Sequence, residues 1–196
     1  MPADPHNLTD AELVARCCDG AAAFSQLVER YQNRLLRYLL SRAATRADAE
    51  DALQEAFIKA YKHLNQYDSR WAFSTWLFSI ASRELMNIQR RRVPQSFDPA
   101  QLPPKITPAA LPADDGPPGV WRFAKQALAD EHYAALWLFY AEDMAIKEIS
   151  RALGRSQVWV KVTLHRARHT LKKHLDALDP ATRDNLGLFA LKAGAK

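Results

Sequence analysis

Residues 146 to 173 read IKEISRALGRSQVWVKVTLHRARHTLKK, and this stretch decides the fold. The spacing predicts a short helix, a glycine turn and a longer basic helix. Ile146, Ile149 and Leu153 share one helical face, Gly154 sits where a left-handed cap is needed, and Ser156 suits the N-cap of the next helix. In that second helix Val160, Leu164, Ala167 and Leu171 point inward, leaving Arg155, Gln157, Lys161, Thr163 and Arg166 to face outward. Arg151 to Lys173 holds seven Lys or Arg and no Asp or Glu. A helix-turn-helix lays its second helix in the DNA major groove, where such cations neutralise phosphates.

Working outward, charge is unevenly spread. Residues 1–93 carry 13 basic and 11 acidic side chains, 94–118 carry one Lys and three Asp, and 119–196 carry 13 basic and 8 acidic. The excess behind the net charge of +5 therefore lies at the helix-turn-helix end. Segment 94–118, PQSFDPAQLPPKITPAALPADDGPP, holds eight of the eleven prolines, which exclude regular helix and mark a linker. The organisation expected is all-α: two small helical domains, 1–93 and 119–178, joined by a Pro-rich linker, 94–118, with a C-terminal tail, 179–196. In that tail Leu186, Leu188, Phe189 and Leu191 suit a small self-packing or partner-binding segment.

The two cysteines, Cys17 and Cys18, are adjacent, so no disulfide framework is implied and a reducing compartment fits. The N-terminus MPADPHNLTD lacks the basic start and apolar core of a signal peptide. The apolar run Tyr133 to Ala141 is well short of the ~20 residues of a membrane span. A cytoplasmic protein without membrane insertion is the expectation.

The first half reads as helices throughout. Thr9 to Glu12 forms a capping box before a short helix that Gly20 ends. Phe24, Leu27, Val28, Tyr31, Leu35 and Leu39 then recur at helical spacing. Thr45 opens a third helix burying Ala49, Leu53, Phe57 and Ala60, and a fourth runs from about Phe73 to Arg92 with Trp76, Leu77, Ile80 and Ala81 inward. Helices near Val120–Leu128 and Asp130–Tyr140 precede the helix-turn-helix.

Two elements in this half carry chemistry. In DAEDALQEAF, Asp48 to Phe57, the residues Asp51, Gln54 and Glu55 fall at i, i+3 and i+4 and form a polar, mostly anionic stripe opposite the core. On spacing alone that stripe reads first as a solvated helix face and second as a docking surface. In YDSRWAFSTWLFSIASRELMNIQRRR, Tyr67 to Arg92, aromatic residues open a helix whose far end is basic. Tyr67, Arg70, Trp71 and Phe73, with Arg83, Asn87, Arg90 and Arg91, offer rings for unstacked bases beside cations for the backbone. Enzyme signatures are missing: there is no phosphate-cradling glycine loop, nucleophile elbow or paired-cysteine zinc spacing. His165 and His169 lie four apart with His174 nearby, but their surroundings are cationic, so neither a metal nor another cofactor is expected.

Together these elements resemble the sigma-70 family of bacterial sigma factors, in its small extracytoplasmic-function (ECF) class, over roughly Phe24 to Leu175. The family motif D-A-E-D-x-x-Q-E-x-F is matched by Asp48, Ala49, Glu50, Asp51, Gln54, Glu55 and Phe57. F-x-T-W-L-x-x-I-A is matched by Phe73, Thr75, Trp76, Leu77, Ile80 and Ala81. E-I-x-x-x-L-G and V-K-x-x-L-x-R-A-R are matched by Glu148, Ile149, Leu153, Gly154, Val160, Lys161, Leu164, Arg166, Ala167 and Arg168. The resemblance implies a transcription initiation factor with no enzymatic activity of its own. Asp51, Gln54 and Glu55 would dock on the clamp coiled coil of the largest subunit of core RNA polymerase, whose flap is a further contact. Asn65 to Ala72 and the helix after it would hold a flipped base and the melted strand of the −10 element. Arg155, Ser156, Gln157, Lys161, Val162, Thr163, His165 and Arg166 would meet the −35 element of promoter DNA. An anti-sigma factor is the implied regulatory partner.

The chain departs from the family where G-T-V-K-S-R-L usually opens the recognition helix: here stand Val158, Trp159, Val160, Lys161, Val162, Thr163 and Leu164. The usual −35 sequence is therefore not expected, and an apolar Val162 suits a thymine methyl. Arg83 stands where Asn is usual, and Ala145 offers no side-chain cap. Rival readings are a free-standing helix-turn-helix regulator and a degenerate sigma-like adaptor.

Overall fold

The computed structural model describes residues 8–17, 21–92 and 119–177. Cys18, the Gly20 helix stop, the proline-rich segment 94–118 and the tail 179–196 lie outside the described residues. Eight α-helices and one 3-10 turn make up the described fold, and no strand occurs among the described residues. α1 is Asp10–Arg16, α2 Ala21–Arg42, α3 Arg46–Lys62, α4 Phe73–Arg92, α5 Gly119–Ala127, α6 Asp130–Tyr140, α7 Ile146–Leu153 and α8 Gln157–Asp176.

Local chemistry sets the helix starts. The Thr9 hydroxyl accepts from Glu12 N–H at 3.3 Å while Thr9 N–H donates to Glu12 at 2.7 Å, the capping box expected from sequence. Thr45 likewise accepts from Asp48 N–H at 3.2 Å and opens α3. Arg30 then ties α1 to α2, donating to Asp10 and, at 2.8 Å, to the Leu8 carbonyl.

Leu27, Tyr31, Leu35, Tyr38 and Leu39 form the buried face of α2, and Leu77, Phe78, Ala81 and Leu85 that of α4. The inner face of α3 is rotated from the sequence expectation. Ala49, Ala52, Ala56 and Ala60 are fully buried, whereas Leu53 and Phe57 are half-buried at its edge. Four alanines let α3 approach its neighbours closely, and the larger side chains fill the flanking grooves. Trp76 and Ile80 are also half-buried rather than central. In α6 the six residues Tyr133 to Leu138 are all buried, as an unbroken apolar run on a short helix requires.

The helices on either side of residues 93–118 pack against one another around a continuous apolar core. α5 and α6 lie on α2, and α7 lies on α4. Polar ties cross the same boundary. Arg34 donates to Glu142 at 2.8 and 3.0 Å, and the Trp137 indole N–H reaches the other carboxylate oxygen at 3.3 Å. Arg42, buried to 4% exposure, donates to Asp130 at 2.6 Å and to the Tyr38 hydroxyl at 2.6 Å. Tyr38 in turn bonds Ser82 on α4 at 2.8 Å.

The Arg42 guanidinium has almost no access to water, while Asp130 keeps 40% of its side-chain surface exposed. Asp130→Ala strips the counter-charge from the buried partner and is expected to lower unfolding free energy by about 3 kcal/mol. Arg42→Met, which removes the buried charge and keeps its volume, is expected to lose less than about 1 kcal/mol. Urea unfolding of the two variants checks the order; equal losses would contradict it.

Candidate nucleic-acid interface

α7 and α8 form the helix-turn-helix. Gly154 adopts φ 64°, ψ 32°, the left-handed cap expected, and the Arg155 N–H closes the turn on the Ser150 carbonyl at 3.0 Å. The Ser156 hydroxyl accepts from Trp159 N–H at 3.1 Å and starts α8. Ala145 lacks a capping side chain, but Glu148 reaches back and accepts from its N–H at 2.8 Å. The other Glu148 oxygen accepts from the Thr75 hydroxyl of α4 at 3.2 Å, so one carboxylate caps α7 and ties it to α4.

α8 buries Val160, Leu164, Ala167 and Leu171 as the sequence predicts. Arg155, Ser156, Gln157, Lys161, Val162, His165 and Arg166 are exposed. Thr163 is not: it is 2% exposed, which corrects the expectation that it meets DNA. Lying three residues after Val160 and four before Ala167, it falls inside the buried stripe. Arg155 is exposed yet engaged, 2.5 Å from Glu131 and stacked on Trp159 at 5.5 Å from the ring centre.

The second group of candidates surrounds the loop after α3, which begins with a 3-10 turn, Leu64–Gln66. The Tyr67 hydroxyl donates to the Trp71 carbonyl at 2.6 Å, bracing the loop across its mouth. Asp68 accepts from the Arg70 backbone N–H at 3.0 Å and from its guanidinium at 2.8 to 3.0 Å. Those side-chain and backbone hydrogen bonds hold the Asp68 carboxyl down at about 2. The loop is thus pre-shaped by its own residues, with Arg70 on its exposed rim.

Phe73 is 1% exposed, the second correction to the candidate set. It packs among Tyr31, Tyr67 and Trp76, with ring centres 5.6 to 5.7 Å away, so no base can reach its face. As the first residue of α4 it starts the inward row that continues to Leu77. Trp71 stands apart from this cluster. Its ring is flanked by two cations of α7, Lys147 Nζ at 4.7 Å and Arg151 Cζ at 4.6 Å. Along α4, Arg83, Arg90 and Arg91 are exposed and Asn87 is half-buried, accepting from Arg90 at 3.3 Å. Arg83 and Met86 face a cleft of about 210 Å³ whose other wall includes Leu153, Arg155 and Trp159.

On α3, Asp51, Gln54 and Glu55 are all exposed, as predicted. Ile58, 45% exposed, and Tyr61, 49% exposed, continue the same face at i+3 and i+4 steps. His165 and His169 are exposed singly, and among the described residues no three potential ligands gather into a metal-binding group.

Lys147, Glu148, Arg34 and Arg42 cross the boundary between the halves without any local mark in the sequence. Their partners lie 73 to 108 residues away in the hydrogen-bonded cases, and nothing in local spacing marks them.

Comparison with known proteins adds to this geometry. Residues 27–93 match the family model described as Sigma-70 region 2. RNA polymerase sigma factor YlaC of Bacillus subtilis is 29% identical over 161 residues, covering 78% of this chain and 92% of that one. The ECF RNA polymerase sigma-E factor of Haemophilus influenzae is 43% identical over 91 residues, 44% of this chain and 48% of that one. Two solved structures share the fold. CnrH in complex with the cytosolic domain of CnrY gives a TM-score of 0.65 at 24% identity, covering 87% of this chain and 99% of that one. The sigma factor RpoE of Bartonella quintana, bound to the anti-sigma factor NepR, gives 0.61 at 18% identity, covering 80% and 98%.

A Cβ built on Gly154 meets nothing within 4 Å, so replacement there tests backbone conformation alone. Gly154→Ala is expected to cost about 1 kcal/mol in urea unfolding, and Gly154→Asn less. A neutral alanine would mean that the left-handed turn is not required.

Proposed function

We propose, on the premise that the chain is a sigma-70 family sigma factor of the ECF class, that it acts in the cytoplasm by carrying core RNA polymerase to a restricted set of promoters. It is a transcription initiation factor and not an enzyme; the catalysis belongs to the polymerase. In this reading Asp51, Gln54 and Glu55 dock on the clamp coiled coil, and the helix-turn-helix half also meets the flap. Trp71, Tyr67 and Arg70 hold an unstacked base of the −10 element, with Arg83, Asn87, Arg90 and Arg91 along the melted strand. Arg155, Ser156, Gln157, Lys161, Val162, His165 and Arg166 meet the −35 duplex.

One observation carries the reading. The chain pairs a loop suited to unpaired bases with a helix-turn-helix suited to duplex, and initiation is the process that needs both. A free-standing regulator needs only the second, and leaves the exposed acidic stripe of α3 without a purpose. Sequestration by an anti-sigma factor is proposed as well, from the likeness to the Bartonella protein solved with one.

The two DNA-binding surfaces cannot work together as they are packed. The −10 and −35 elements lie roughly 25 base pairs apart, ~85 Å along the duplex at 3.4 Å per pair. α7 instead lies on α4, with its cations against Trp71. We therefore treat residues 1–93 and 119–178 as separable domains. The 26 residues from 93 to 118 can reach at most ~90 Å when fully extended, enough for that separation.

Two outcomes test this. Reversing charge in Asp51→Lys with Glu55→Lys, both exposed, is expected to weaken binding to bacterial core polymerase on the order of 100-fold, with unfolding unchanged. Unaltered co-elution with core would instead favour the free-standing regulator. Dyes on Ser69 and Ala145, exposed residues beside the α4–α7 contact, should transfer energy strongly in the free chain and lose most of it in the promoter complex. Undiminished transfer there would rule out separation.

A further inference from the structure

Five large apolar side chains are exposed among the described residues: Ile58, Tyr61, Met86, Val158 and Val162. The last two, 71% and 42% exposed, occupy the first two turns of α8. Four residues apart, they lie one above the other on a single face. Neither belongs to the core, because the inner face of α8 is already complete with Val160, Thr163, Leu164 and Ala167. Nor does the packing of α7 on α4 cover them.

Their surroundings limit what they can meet. Gln157, Lys161, His165 and Arg166 flank them and are all exposed, and no Asp or Glu occurs from Arg151 to Lys173. A face of that charge favours a polyanion over another protein surface. The opening turns of the second helix are the part of a helix-turn-helix that reaches base edges. On the major-groove edge of the four bases, one group is apolar: the C5 methyl of thymine. Valine in a helix is held to one χ1 rotamer in about nine cases of ten, so its methyls are already placed before contact.

We infer that Val158 and Val162 are specificity-determining residues of this chain, each reading the C5 methyl of a thymine in the −35 element. The inference rests on the initiation-factor reading and extends it from a place of binding to a sequence preference. Hydrogen-bonding readout then falls to Gln157, Lys161 and Arg166, while the two valines select thymine over cytosine at their positions. A polar residue there would lose that selection without loosening the phosphate grip.

The test uses the full chain with bacterial core polymerase on a promoter it transcribes, taken from its source genome. Each thymine of the −35 element, on either strand, is replaced singly by deoxyuridine, which removes the methyl and keeps every hydrogen-bonding group. At two positions the substitution is expected to weaken promoter binding about four-fold, the worth of one buried methyl. At one of them the loss should vanish in Val158→Ala and at the other in Val162→Ala, while each variant keeps the sensitivity of the other site. Indifference of the wild type to uracil at every position overturns the inference. So does a loss that is the same in wild type and both variants. If uracil is without effect but the variants release an anti-sigma partner, the valines belong to a protein interface. Absence of any promoter-dependent transcript is a different result, since it defeats the initiation-factor reading itself.

Discussion

A single buried cation organises the molecule. Arg42, at the end of α2, has 2% of its side chain exposed. Burial works against its charge, but Tyr38 and Asp130 outweigh that and hold the guanidinium firmly protonated. Its donors are divided between Tyr38 on its own helix and Asp130 at the start of α6, and its carbonyl accepts from Gln89 of α4 at 3.2 Å. Three helices, one of them from beyond the proline-rich segment, thus share one residue's hydrogen bonds. Apolar contact alone would allow α6 to slide on α2; a forked donor with two fixed acceptors does not. The same docking of the halves lays α7 on α4, with the Thr75–Glu148 bond and the cations over Trp71.

Exposed ion pairs and hydrogen bonds rim the apolar contact that joins the halves, and this suits the opening proposed for the boundary. Arg34, Asp130 and Lys147 all retain exposed surface, so water can replace their partners when the halves part. Parting the halves also divides the apolar cluster they share, which sets a cost that binding to partners has to offset. Trp71 illustrates the balance. Two cations beside an aromatic ring are an attraction of about 1 kcal/mol each when partly exposed, comparable with the stacking of one base. In the proposed reading neither the cations nor a base dominates at the ring, so polymerase and promoter can decide between them.

Much of this was legible in the sequence, for reasons that differ by element. The helix-turn-helix was readable because its signals are local: Gly154 needs a positive φ, Ser156 a neighbouring N–H, and the apolar spacing an inner face. The acidic stripe of α3 was readable by the same periodicity. The sequence misled where spacing was right but volume decided the outcome. On α3 the alanines went innermost, displacing Leu53 and Phe57, because close helix approach rewards small side chains. Phe73 and Thr163 were assigned to DNA by their neighbours in sequence, yet each falls on its helix's inner row. A polar threonine in that row was read as outward from its chemistry, when its position was the better guide. The pairings of Arg34, Arg42, Lys147 and Glu148 were not legible at all, since they depend on how two helical groups dock, which no local pattern encodes.

The same distinction bears on the recognition helix. An exposed valine is usually unremarkable on a protein surface, where apolar atoms supply more than half the area. What gives Val158 and Val162 meaning is that they interrupt an otherwise polar and cationic face at the point of groove entry. Long cationic side chains such as Lys161 and Arg166 adapt to many phosphates and several base edges, so alone they bind tightly and discriminate weakly. A short, stiff, apolar side chain does the reverse: it adds little affinity, and only where a methyl stands opposite. Combining the two on one helix separates the grip on DNA from the choice of site. If the valines read thymine as inferred, that separation would let a chain of this kind change its promoter set by altering residues on which the fold does not depend.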